Sequence, residues 1–200
     1  MSEASDSVAR MTRAIFYTAS TLNGFLADDA DSLSWLLSIP QDAATADIAA
    51  FTEKVGVFVE GSSTYEWLLR EEGLLDHPER WQQFYGDRPT FVFTSRELPR
   101  VPGADIRFVR GPVREHWDEI VAAAGARDVW IVGGGDLAGQ FADEGLLDDI
   151  VVTFAPATLR SGRPLLPRDL GHSRLELTGV RQAGPFAELT YRLSPPTGGE

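Results

Sequence analysis

Apolar and polar positions alternate along the chain in a pattern that predicts strands and helices in turn. Apolar runs rich in β-forming residues predict strands at 13–19, 55–59, 90–94, 106–109, 129–132 and 149–154. Apolar positions three to four residues apart predict helices at 43–53, 62–70, 113–124 and 136–144. The last two strands, 175–182 and 186–193, flank a hairpin-like turn at Ala183-Gly184-Pro185.

This order of elements predicts an α/β fold. Strands that alternate with helices form a parallel sheet, and a terminal hairpin adds antiparallel strands at its edge. We therefore expect a central, mixed but mostly parallel sheet of about eight strands flanked by helices. No Pro/Gly/Ser-rich linker divides the 200 residues, so we expect one domain over residues 12–193, with disordered tails at 1–11 and 194–200.

Composition excludes several classes of function. The formal net charge of −12 argues against nucleic-acid binding, which needs clustered Lys and Arg. The chain has no cysteine, and its three histidines show no metal-ligand spacing, so we expect no disulfide and no metal. No apolar run of membrane-spanning length and no leader are evident, so we expect a cytoplasmic protein. An anionic cofactor would have to be held by local donors, because the overall field opposes it.

Three segments that could bind an anion follow predicted strands. Gly133-Gly134-Gly135 lies between a strand and a helix start, where free backbone N–H groups and the helix dipole favour negative charge. Gly61-Ser62-Ser63-Thr64 opens a second helix, and Ser95-Arg96 suits a phosphate monoester. Each also has a simpler interpretation: a tight turn, a helix cap and a surface charge. All three lie at the carboxyl ends of strands, where open α/β sheets bind ligands.

Five segments in order resemble motifs of one family. They are the opening strand and loop at 14–27, Gly61-Ser-Ser-Thr-Tyr65, the strand ending in Ser-Arg at 92–96, the glycine turn at 130–135, and the loop from Pro156 to Gly162. Together they are similar to dihydrofolate reductase, and more closely to the reductase domain of bacterial riboflavin biosynthesis (the RibD C-terminal domain family) and its stand-alone relatives. The resemblance covers residues 12–193.

The resemblance implies a dihydrofolate reductase-like fold, a homodimer, and an NADPH-dependent reductase. The hydride acceptor would be a small heterocycle, pteridine-like or riboflavin-precursor-like, or another C=N or C=O compound. It also implies a cis Gly133–Gly134 peptide. By the same resemblance the cofactor would be bound by Thr18, Ala19, Leu26, Ala27, Gly61, Ser62, Ser63, Thr64, Ser95, Arg96, Arg110, Val132, Gly133, Gly134, Gly135, Asp136, Leu137 and Ala138. On the substrate side it implies Asn23, Asp47 and Thr153.

Two departures from the family pattern favour a different interpretation. Ser62 stands where the family has an arginine, and Glu60 stands where it has an apolar residue. A non-catalytic nucleotide-binding module of the same fold is therefore the alternative. A Rossmann-type dinucleotide domain is a weaker one, because its glycine motif belongs at the first strand–helix turn. No proton donor stands out, which leaves water ordered by Thr153 and the Asn23 loop as the expected proton source.

Overall fold

The computed structural model describes residues 12–40 and 48–196. The strands of these residues are β1 (Ala14–Thr21), β2 (Phe25–Ala27), β3 (Val55–Gly61), β4 (Thr90–Phe93), β5 (Ile106–Val109), β6 (Asp128–Gly133), β7 (Asp149–Ala155), β8 (Arg163–Pro164), β9 (Leu175–Ala183) and β10 (Phe186–Leu193). The helices are α1 (Ser34–Leu37), α2 (described over 48–52), α3 (Ser62–Glu71), α4 (Glu79–Tyr85), α5 (Val113–Ala124) and α6 (Gly135–Asp143).

In the described chain, eight strands form one sheet in the order β5-β4-β3-β6-β1-β7-β10-β9. Neighbours from β5 to β7 run parallel, while β10 is antiparallel to both β7 and β9. The predicted mixed sheet with a C-terminal antiparallel hairpin is therefore confirmed. A short antiparallel pair, β2 with β8, was not predicted, and it joins the loop after β1 to the loop after β7.

The parallel strands are buried on both faces because helices cover both. On one face Phe16, Val59 and Ile131 pack against Ile120 of α5 and Phe141 of α6. On the other face the packed residues are largely aromatic: Phe58, Tyr65, Trp81, Tyr85 and Trp130. Parallel strands enclosed in this way appear in sequence as continuous apolar runs, which is why they were predictable.

One helix of the structure, α4, was not predicted, and part of a predicted helix lies outside the described residues. Helix α4 was missed because its sequence is mostly polar, and only Trp81 and Tyr85, four positions apart, are buried. The predicted helix 43–53 is helical over 48–52, and its beginning lies outside the described residues, as do 1–11 and 197–200. Within the described residues, no helix has the length and apolar character needed to cross a membrane.

Candidate functional site

A cavity of about 800 Å³ opens at the carboxyl ends of β1, β3 and β6. These three strands lie in the centre of the sheet, and the strand order continues from them towards β5 on one side and β9 on the other. The carboxyl ends of such central strands are the usual ligand position in open α/β sheets. Many of the residues expected to bind a cofactor or substrate lie on its wall: Thr18, Ala19, Leu26, Ala27, Gly61, Ser62, Ser63, Thr64, Val132, Gly133, Gly134, Gly135, Asp136, Leu137 and Thr153.

Two helix N-termini meet at this cavity. Gly61 precedes α3 and Gly134 precedes α6; both are in extended conformation, and neither helix start has a side-chain cap. A Cβ on Gly133 would lie 3.3 Å from Thr64 Oγ1, so the two glycine turns are in contact. The Gly133–Gly134 peptide is cis, as expected. Uncapped N-termini present backbone donors, so this corner is suited to an anion.

The three consecutive glycines have different surroundings. A Cβ on Gly134 would meet no atom within 4 Å, whereas a Cβ on Gly135 would lie 2.2 Å from the carbonyl oxygen of Leu165. Gly135 is therefore required for packing of α6 against the chain near β8. Gly134 is not required for packing, and its missing side chain leaves open space at the helix start, which fits a ligand that approaches the backbone closely.

Glu60, the acidic residue before the first glycine turn, does not present a charge to that turn. Its side chain is fully buried, and Tyr85 Oη donates to Glu60 Oε2 at 3.1 Å. Burial raises the pKa of Glu60 from 4.5 to about 8, although the Tyr85 hydrogen bond opposes this. Glu60 is consequently largely uncharged at neutral pH, so it does not repel an anion bound at this turn.

The candidate cations for a phosphate lie beside the cavity and not on its wall. Ser95 and Arg96 follow β4 and Arg110 follows β5, and these strands are paired so that Phe93 lies opposite Val109. Arg96 is held by Glu66 of α3, with Nη1 3.0 Å from Oε1. Arg110 makes no side-chain ion pair within the described part of the chain.

Three other expected site residues lie elsewhere or are not described. Ala138, a residue of α6, is fully buried in the core and does not line the cavity. Asn23 binds the neighbouring loop: its Nδ2 donates to the Leu159 carbonyl at 2.6 Å, and its Oδ1 accepts from the Leu159 N–H. Asn23 therefore connects the two loops that β2 and β8 join, instead of reaching the cavity. Asp47 lies outside the described residues.

A carboxylate that the sequence analysis missed lies behind the cavity wall. Glu188 of β10 accepts a hydrogen bond from Tyr17 Oη at 2.6 Å, and its side chain is 12% exposed. Tyr17 and Thr153 line the cavity, and both contact this carboxylate. The residues lie 171 and 35 positions apart in sequence, so no local pattern could have associated them.

The rest of the cavity wall is mainly apolar and aromatic. Leu36, Trp67, Phe84 and Phe186 lie on it, and Arg163 at its rim pairs with Asp31, with Nε 2.6 Å from Oδ1. This ion pair connects β8 to the loop after β2. The same two loops are therefore joined by the backbone pairing of β2 with β8, by the Asn23 side chain and by this ion pair. A planar organic molecule would find apolar surface on the walls and a small number of polar groups at defined positions, as small-molecule sites usually offer.

Comparison with known proteins agrees with this architecture. Residues 75–187 match the family described as the RibD C-terminal domain. The chain belongs to that family.

Individual proteins are similar to this chain over nearly its whole length. The chain is 25% identical over 179 residues to the uncharacterized protein YwjB of Bacillus subtilis (strain 168), covering 90% of this chain and 97% of that one. A putative riboflavin biosynthesis protein from Shewanella sp. PV-4 superposes with a TM-score of 0.72 at 24% identity, over 92% of this chain and 99% of that one. Dihydrofolate reductase from Enterococcus faecalis, complexed with NADP(H) and RAB-propyl, gives 0.58 at 16%, over 92% and 97%. The fold is dihydrofolate reductase-like.

Proposed function

We propose that this protein is an NADPH-dependent reductase that transfers a hydride to a small heterocyclic substrate, pteridine-like or riboflavin-precursor-like, or to another C=N or C=O compound. The observation that carries the proposal is the meeting of two uncapped helix N-termini at one cavity, with open space where Gly134 lacks a side chain. This arrangement suits a pyrophosphate. The structural neighbour from Enterococcus faecalis, complexed with NADP(H), supports the same cofactor.

Each part of the cavity has a role in this proposal. The turns at 61–64 and 133–137 would hold the pyrophosphate, while Ser95, Arg96 and Arg110 would bind the 2′-phosphate beside the cavity. Thr18, Ala19, Leu26 and Ala27 would line the nicotinamide, with Thr153 on the substrate side. When bound, NADPH supplies a hydride. The protein would contribute positioning and the exclusion of bulk water by the loops that Asn23 connects.

The first test uses Gly134. Gly134→Ala adds a methyl group where it meets no protein atom, at a backbone conformation (φ −85°) that alanine adopts readily. The variant should fold normally and bind NADPH roughly 10- to 100-fold more weakly, because crowding a close contact typically costs about 1–3 kcal/mol. Titration of NADPH followed by tryptophan fluorescence measures this loss.

Gly171→Ala is the matched control. Gly171 also precedes a helical turn in extended conformation, and its Cβ would meet only Ser173 Oγ, at 3.8 Å, outside the cavity. This variant should bind NADPH like the unmodified protein. If Gly134→Ala folds and also binds NADPH like the unmodified protein, the glycine turn does not hold the cofactor.

Turnover distinguishes the reductase from the non-catalytic alternative. NADPH oxidation is followed by absorbance across a panel of pteridines, pyrimidine riboflavin precursors, cyclic imines and carbonyl compounds. Tight NADPH binding without oxidation of any member would favour a nucleotide-binding module, the alternative suggested by Ser62. We also propose a homodimer, which light scattering at micromolar concentration tests directly.

A further inference from the structure

Three residues that the sheet register brings into one row form a polar cluster with Tyr17 next to the cavity. Ala19 of β1 pairs with Thr153 of β7, Thr153 with Glu188 of β10, and Glu188 with Arg181 of β9. Residues directly opposite one another in a sheet project from the same face. Tyr17 lies two residues before Ala19 and so shares that face. The register alone therefore places a tyrosine, a threonine, a glutamate and an arginine side by side.

The hydrogen bonds within this cluster have a defined direction. Tyr17 Oη donates to Glu188 Oε2 at 2.6 Å, and Thr153 Oγ1 donates to the same oxygen at 3.4 Å. Arg181 Nη2 donates to the other carboxylate oxygen at 2.8 Å. An ionised carboxylate only accepts, and a hydroxyl group has one hydrogen to donate. Burial, then the hydrogen bond to Glu188, raises the pKa of Tyr17 well above its ordinary value, so its hydrogen is retained.

The two hydroxyls can consequently offer a ligand only oxygen lone pairs. Both Tyr17 and Thr153 line the large cavity, whereas Glu188 lines a smaller cavity of about 430 Å³ on the other side of them. Both hydroxyl-bearing residues are buried, at 8% and 6% exposure. A buried acceptor left without a donor is costly, so this part of the wall favours a ligand that presents N–H groups to it and disfavours one that presents carbonyl oxygens.

We propose that Glu188, through its hydrogen bonds with Tyr17 and Thr153, makes this part of the cavity wall a hydrogen-bond acceptor. The wall would then select heterocycles that carry N–H donors. Glu188 is thus a positioning residue that touches the hydroxyls and not the substrate. The proposal rests on the proposed function, in which Thr153 faces the substrate. It adds a carboxylate that affects substrate binding through the hydroxyl groups of Tyr17 and Thr153.

Two pteridines of similar size and opposite polarity test the proposal. 2,4-Diaminopteridine presents N–H donors, whereas 1,3-dimethyllumazine carries carbonyl oxygens and no N–H group. Binding of each to the purified full-length protein is measured by fluorescence titration, with and without saturating NADP⁺. The unmodified protein should prefer the diamino compound, and a protein that binds neither or prefers the lumazine overturns the proposal.

Glu188→Gln isolates the contribution of the carboxylate. The amide N–H groups can donate to the hydroxyl oxygens of Tyr17 and Thr153. The hydroxyl hydrogens are then free to donate to a ligand in the cavity. Affinity for 2,4-diaminopteridine should fall about tenfold, as expected for one reversed hydrogen bond, while affinity for 1,3-dimethyllumazine should stay equal or rise. An equal loss for both compounds would show a merely structural role, and no loss for either would also overturn the proposal.

Two further variants keep the experiment interpretable. Glu176→Gln on β9 removes a strand glutamate that pairs with Arg192 and lines neither cavity, so it should leave both affinities unchanged. If Glu188→Gln does not fold, Thr153→Val removes the lone pairs directly and should weaken only the diamino compound. NADPH affinity should be the same in all variants. If the unmodified protein binds no NADPH the proposed function fails, while the ratio of the two pteridine affinities still tests the role of Glu188.

Discussion

Replacing Glu60 by glutamine should make the protein more stable at neutral pH and should flatten the pH dependence of its stability. Glu60 is fully buried beside Tyr85, and its Oε1 has no hydrogen-bond partner in the described structure. Burial raises its pKa from 4.5 to about 8. Glutamine has nearly the same shape, keeps the acceptor for Tyr85, and cannot ionise.

The sign and size of the effect follow from proton linkage. Between pH 4.5 and about 8 the unfolded chain has released the Glu60 proton while the folded protein retains it. The unfolded state then binds fewer protons, so the free energy of unfolding falls by about 1.4 kcal/mol per pH unit over this range. Below pH 4.5 both states are protonated and the effect vanishes; above 8 both are ionised and it levels off. Relative to the wild type, Glu60→Gln should gain about 3 kcal/mol from pH 5 to pH 7.

Urea unfolding followed by tryptophan fluorescence, at half-unit steps from pH 5 to 8 and constant ionic strength, measures this difference. Subtracting the two curves removes the contributions of all other titrating groups. Glu71→Gln on α3 makes the same substitution at an exposed position and serves as the control. If the difference between Glu60→Gln and the wild type is constant across this range, Glu60 is ionised in the folded protein and the reasoning about its burial is wrong.

Two further predictions concern the cofactor and the glycine turn. Arg96→Ala and Arg110→Ala should each weaken NADPH binding roughly tenfold and leave NADH nearly unchanged, since a 2′-phosphate adds charge that only a cation beside it can pair; parallel titrations that show equal losses for both cofactors would contradict this. Gly135→Ala should lower thermal stability, by about 1–3 kcal/mol or more, because its Cβ would lie 2.2 Å from the Leu165 carbonyl oxygen, and an unchanged melting temperature by calorimetry would refute it.

Most of the sheet was predictable because its strands are apolar on both faces. Strand β5 and helix α5 begin and end where the sequence pattern placed them, at 106–109 and 113–124. Helix α4 was not predictable, since its few buried residues are recognised only once Phe58 and Tyr65 are known to lie against them. The glycine turns were identified as candidates because each lies between a strand and a helix start, where free backbone N–H groups can bind an anion.

The sequence by itself determined the order of elements, the parallel sheet and the positions at which an anion could be bound, because each depends on residues that are neighbours along the chain. Only the tertiary structure decided which glycine has open space beside it, whether Glu60 carries a charge, and which carboxylate lies behind the cavity wall. Gly134 and Gly135 are adjacent and chemically identical, but the backbone of Pro164 and Leu165 lies against Gly135 and not against Gly134. Glu188 reaches Tyr17 across 171 residues through strand register, which is set by the packing of the whole sheet and leaves no local signal in the sequence.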